Sequence, residues 1–146
     1  MKKVIIIIIS ILLASAFYGC KKKEACPQKE TTAKELLTMD EWRYISRKDY
    51  RDGVGMGITG YGNWSCVFAP SGDYYLIDGS NSLIYYGIYT FMEDREPFEL
   101  YIKNHGDPQP VRYIVDTLTA DVLMYHQDTL INGHNWRYEY KFERLQ

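Results

Sequence analysis

Trp136-Arg137-Tyr138-Glu139-Tyr140-Lys141-Phe142-Glu143 is the stretch that decides the architecture. Aromatic and charged residues alternate strictly through it, so an extended strand puts every ring on one face and every charge on the other. A strand of this kind is half buried, as in an antiparallel sheet with one side on a core. The same period of two recurs upstream. Phe98, Leu100 and Ile102 alternate with Glu99, Tyr101 and Lys103, and Val111, Tyr113 and Val115 with Arg112, Ile114 and Asp116. Strands are expected near 41–47, 63–69, 73–78, 83–91, 97–103, 111–117, 121–127 and 135–144. Pro70-Ser71-Gly72-Asp73, Met92 to Glu96, Leu118-Thr119-Ala120 and Asn132-Gly133 are turn-like connectors, and His105 to Pro110 is a longer turn. Ahead of the first strand, Thr31 or Thr32 followed by Glu35 caps a short helix. Eight consecutive antiparallel strands with one apolar face require a closed barrel or a sandwich. Closure removes the exposed edges, so the expected fold is all-β: an eight-stranded antiparallel up-and-down barrel with a short N-terminal helix.

The composition agrees with one globular domain. The chain has 146 residues, 17 Lys and Arg against 19 Asp and Glu, and a formal charge of −2. It lacks the basic excess of a nucleic-acid binder and the low apolar content of a disordered chain. Its one unusual resource is tyrosine, with 14 residues.

Residues 1–19 read as an export signal. Met1-Lys2-Lys3 is a basic start, and Val4 to Tyr18 is apolar apart from two serines. Fifteen helical residues reach roughly 22 Å, short of the ~30 Å needed to span hydrocarbon, so a cleaved secretory signal is the better reading. Gly19-Cys20 at the end of the run resembles the lipobox of bacterial lipoproteins. That resemblance implies cleavage before Cys20 and acylation of its sulfur and of the new amino terminus, for example by palmitate. Several acyl chains make a stable membrane anchor, which Lys21, Lys22 and Lys23 would reinforce at anionic headgroups. The absence of Asp at position 21, and of an acidic cluster after the cysteine, implies an outer-membrane lipoprotein facing the periplasm. Residues 20–35 then form the lipidated cysteine, a polar tether and the start of the helix, and 36–146 form the barrel. In an oxidising compartment two readings of the other cysteines stay open. Cys26 and Cys66 form a disulfide, or Cys66 is a small buried hydrophobe and Cys26 a free tether thiol.

The body of the chain resembles the small lipocalin-like lipoprotein domains of Gram-negative bacteria. The phrases that carry this are Leu37-Thr38-Met39-Asp40-Glu41-Trp42, Cys66-Val67-Phe68-Ala69-Pro70-Ser71-Gly72-Asp73-Tyr74-Tyr75, Tyr113 to Leu123, and the terminal Phe142-Glu143-Arg144. Asp40 stands where classical lipocalins have glycine. The resemblance implies a late basic residue, Arg144 or Arg137, over the Trp42 ring, and a small apolar or amphipathic ligand within the barrel. Tyr44, Tyr74, Tyr85, Tyr89, Tyr113, Tyr138 and Tyr140 fall on one side by strand parity. Of these, Tyr44, Tyr85, Tyr89, Tyr113 and Tyr138 are the candidate ligand contacts. An interior of tyrosines offers rings and hydroxyls for an amphipathic molecule, or else it simply fills the barrel. In the second case the protein is an interaction module docking an envelope protein or a glycan.

Chemistry is hard to find. Gly55-Met56-Gly57-Ile58-Thr59-Gly60 matches a dinucleotide-binding glycine pattern, but Tyr61-Gly62-Asn63-Trp64 leads into a strand where the fingerprint needs a helix. The segment from Lys48 to Gly62 reads instead as a long loop, either solvated or overhanging the barrel mouth with Met56, Ile58 and Tyr61 as its apolar contacts. His105, His126 and His134 have no metal-site spacing. Asp49 and Asp52 are the acidic pair to watch, with strand termination and turn formation as the plainer role. No nucleophile motif, cofactor or metal site, and no enzymatic activity, is expected.

Overall fold

The computed structural model describes residues 30–60 and 62–145. The signal segment, Cys20, Cys26 and Tyr61 lie outside the described residues. The chain divides into two units, Met1–Glu30 and Thr31–Gln146, and the second holds the whole sheet.

Helix α1 (Ala33–Thr38) opens it. Thr32 is its N-cap: the hydroxyl accepts from Glu35 N at 3.1 Å, and Thr32 N donates back to the Glu35 carboxylate at 2.9 Å. This reciprocal pair satisfies two of the N–H groups that a helix start leaves free. Among the described residues nine antiparallel strands follow: β1 (Glu41–Arg51), β2 (Val54–Gly60), β3 (Trp64–Phe68), β4 (Asp73–Asp78), β5 (Leu83–Met92), β6 (Phe98–Asn104), β7 (Val111–Leu118), β8 (Val122–Ile131) and β9 (His134–Arg144). β1 pairs with β9 from Trp42↔Arg144 to Arg51↔Trp136 and closes the barrel. β1, β3 and β4 to β9 form its eight staves, and β2 is added to the upper part of β1.

The eight expected strands all form. The loop expected from Lys48 to Gly62 does not. β1 runs on to Arg51 and turns through Asp52 and Gly53, with φ of 49° and 81°, into β2. Two successive left-handed residues make the type I′ turn that matches the twist of a hairpin. Gly55 to Gly60, the glycine-patterned segment, is therefore strand, and the next element is β3 rather than a helix.

The core follows from parity. Trp42, Cys66, Phe68, Leu100, Leu123 and Phe142 point inward and are fully buried, together with Leu37 of α1. Each such side chain contributes about 1.5–3 kcal/mol by leaving water. Trp42 Nε1 donates to Leu37 O at 2.8 Å, tying α1 to the lower end of the barrel, where it lies against β3 and β7. The guanidinium of Arg144 sits 5.8 Å from the Trp42 ring centroid and its Nε lies 3.5 Å from Asp40. Of the two arginines considered for this place, Arg144 takes it. Arg137 instead grips Asp128 through two hydrogen bonds of 2.8 and 3.0 Å.

Gly87 marks where β5 passes from β4 to β6: it faces Tyr74 on one side and Asn104 on the other. A Cβ there would meet Lys103 O at 2.1 Å and Asn104 Cα at 2.8 Å. Gly87→Ala should therefore push the end of β6 away and lower stability by about 1–3 kcal/mol, as overpacking does. Thermal melts of the two proteins check it; an unchanged midpoint would mean that the strands separate freely at this point.

On the outer face of β6, Glu99 accepts from Arg95 and Tyr101 at 2.8 Å each and from Arg112. These donors, Arg112 first, hold its carboxyl down to about 2 from 4.5. A carboxylate with a lower folded than unfolded pKa adds stability that is complete above the unfolded value and drains away toward the folded one. The urea midpoint should fall as pH drops from 4.5 to 2, and Glu99→Gln should flatten that fall. An equally steep fall in the variant would place the acid sensitivity elsewhere.

Candidate functional site

The inward tyrosines and their neighbours pack as two groups of touching rings. Tyr44 stacks on Trp64 at 4.1 Å, and both abut Phe142 at 5.8 and 5.7 Å. Phe142 touches Tyr125 at 5.2 Å, and Tyr125 touches Tyr113 at 4.9 Å and Tyr140 at 5.3 Å. Centroid separations of this size are those of packed aromatic pairs. A second group joins Tyr89 and Tyr74 to Phe68 at 5.2 and 5.3 Å. Hydroxyls are used internally: Tyr89 donates to Ala69 O at 2.8 Å and Tyr44 to Thr59 O at 3.1 Å. Burial pushes the phenols of Tyr74, Tyr113 and Tyr125 upward, because a phenolate would lose its hydration. Among the described residues Cys66 has no disulfide partner; it is fully buried on the inner side of β3, and burial pushes its thiol upward for the same reason. Its proposed partner Cys26 lies outside the described residues.

Apart from Tyr138 and the undescribed Tyr61, the candidate ligand contacts therefore separate into three groups. Tyr44, Tyr89 and Tyr113 are bound into the ring network. Tyr85 shares their parity, but it lies above the last β5–β6 pair, Gly87↔Asn104, and stands 56% exposed. Met56 and Ile58 sit on β2, whose seven residues are all exposed, so they form part of an added strand and not of a lid.

Tyr138 belongs to a structure that parity alone does not show. The β1–β2 and β8–β9 hairpins run on together past Ile114↔His126, the last pair that β7 makes with β8. They make a four-stranded flap in the order β2-β1-β9-β8. On its inner face Trp136 and Tyr138 lie parallel at 6.0 Å, and Arg47 covers the Tyr138 ring at 5.2 Å. Arg47 is itself held by Asp49 through bonds of 2.7 and 2.9 Å, which raises the guanidinium pKa further. On the outer face Tyr50, Asp128, Leu130, Arg137 and Glu139 line an open groove of about 720 Å³. Val54, Met56, Ile58, Leu130 and Ile131 leave the flap unusually apolar, at 41–69% exposure.

The turn tips are clamped together. Asp52 receives Asn135 N at 2.9 Å and meets His134 Nδ1 at 2.7 Å, and His134 draws its carboxyl below the usual range. Asp49 and Asp52 thus serve an ion pair and a turn rather than one shared site. His126 lies between Asp116, at 2.8 Å, and Asp128, at 3.6 Å, and His105 stacks on Tyr86 at 4.7 Å. Among the described residues no three His, Cys, Asp or Glu side chains gather where they could hold a metal. The flap escaped the sequence reading, although Asp52-Gly53 carried the turn signal for it. The geometry defines a closed antiparallel barrel with an aromatic core and a protruding apolar flap. No family model matches the chain, and no curated protein matches it.

Proposed function

We propose that the chain is a lipid-anchored, lipocalin-like envelope lipoprotein that docks another envelope protein through its flap. The observation that carries this is the ring network from Trp64 through Phe142 to Tyr113, which occupies the space where an enclosed ligand would lie. Exposed aliphatic side chains beside a mixed polar groove are the composition of a protein contact, with an apolar centre and a polar rim. Anchoring at Cys20 and an outer-membrane, periplasm-facing location belong to the same proposal and rest on the sequence of the first twenty-three residues. A second reading has one observation in its favour: the half-exposed Trp136, Tyr138 and Arg47 column could stack a small amphipathic ligand at the barrel mouth.

One pair of measurements separates them. A photo-crosslinking residue placed at Leu130 or Ile58 in cells should trap the same protein, whereas one at Lys141 should not. Native mass spectrometry of the mature chain should show no small molecule that denaturation releases. A releasable adduct with no flap crosslink would overturn the docking reading in favour of the mouth-bound ligand.

A further inference from the structure

A second apolar surface lies away from the flap, on the outer side of β5. Tyr86 and Ile88 point outward, at 47% and 58% exposure, since Tyr89 beside them is directed into the core. Pairing places Asp73 opposite Ile88 on the β4 side and Lys103 opposite Ile88 on the β6 side. Their chain neighbours Tyr74 and Ile102 are buried, so Asp73, Ile88 and Lys103 form one outward row across three strands. Among the described residues Lys103 has no ion-pair partner, while Asp73 accepts from the Ser71 hydroxyl at 2.6 Å. Two open grooves of about 340 and 420 Å³ meet at Ile88 and Lys103.

Opposite charges on the two sides of an apolar stripe are self-complementary. A two-fold axis along β5, passing over Ile88, turns a second barrel face to face with the first. It sets Ile88 on Ile88, Tyr86 beside Tyr86, and each Asp73 over the other copy's Lys103. Sheets packed face to face keep their strands within about 30° of alignment, which this axis allows, and isologous contacts are the commonest way for a chain to meet itself. We propose that the outer face of β5 is the contact surface of a symmetric dimer of this chain, sealed by two Asp73–Lys103 pairs. This surface is separate from the flap and does not depend on what the flap binds.

The test is disulfide trapping of the full chain in intact cells. Ile88→Cys lies on the axis and should give a species of twice the mass on oxidation. The unaltered chain, with its own cysteines, and Glu139→Cys on the opposite wall should not. Asp73→Lys or Lys103→Asp in the Ile88→Cys background should each cut the trapped fraction about tenfold, because like charges then face each other. The double reversal should restore it. Unchanged thermal melts of the single variants show that the loss of trapping is not a loss of folding. No trapping at Ile88→Cys, equal trapping at Glu139→Cys, trapping of a different protein instead, or a double variant that stays monomeric would each overturn the dimer.

Discussion

Trp42→Ala is expected to lower the folding stability of the barrel by about 3–5 kcal/mol, read from the urea midpoint. The indole is fully buried and fills the lower end of the barrel. It also joins three elements: its N–H reaches Leu37 O of α1 at 2.8 Å, its ring lies under Arg144 of β9 at 5.8 Å, and its backbone pairs with Cys66 of β3. Truncation leaves a cavity, strands the Leu37 carbonyl and uncovers the guanidinium. A small domain has only about 5–15 kcal/mol to lose, so the variant should sit near the edge of folding. Trp42→Phe keeps most of the volume and loses the hydrogen bond, so it should cost about 1–3 kcal/mol. If both variants melt like the parent, the Trp42–Leu37 bond does not hold α1 to the barrel end.

Phe142→Ala tests the filled interior at its hub, where rings from β1, β3 and β8 converge on one side chain. The expected loss is again about 3–5 kcal/mol. The cavity left behind would be walled by Tyr44, Trp64 and Tyr125 and should stay dry, as apolar cavities of roughly 150 Å³ do. Benzene should then raise the melting temperature of the variant and leave the parent unmoved. Stabilisation of the parent by benzene would mean that a cavity already exists, and would move the weight to the ligand reading.

Both variants probe features that the sequence announced in different degrees. The strands of Trp136 to Glu143 and Phe98 to Lys103 were legible because their apolar face is contiguous and their period is two. Tertiary contacts then had nothing to overrule. The same parity put Tyr44, Tyr89 and Tyr113 inside. β2 was illegible as a strand because Val54 to Gly60 buries no side chain and holds three glycines, which take away its strand propensity. It is a strand because β1 extends beyond β3 and offers its backbone edge.

Alternation, turn residues and a capping pair act over a few residues, and they were enough to determine the barrel, its short helix and the order of its staves. The unequal heights of the hairpins, the choice of Arg144 over Arg137 above Trp42, and the meeting of Asp52 with His134 depend on register between residues far apart in the chain. So does the packing of rings across the centre. Those distances are set only when the sheet closes, because closure fixes which residue stands opposite which. That is why alternation could put Tyr44, Tyr89 and Tyr113 inside, and only the tertiary structure could decide which rings they touch.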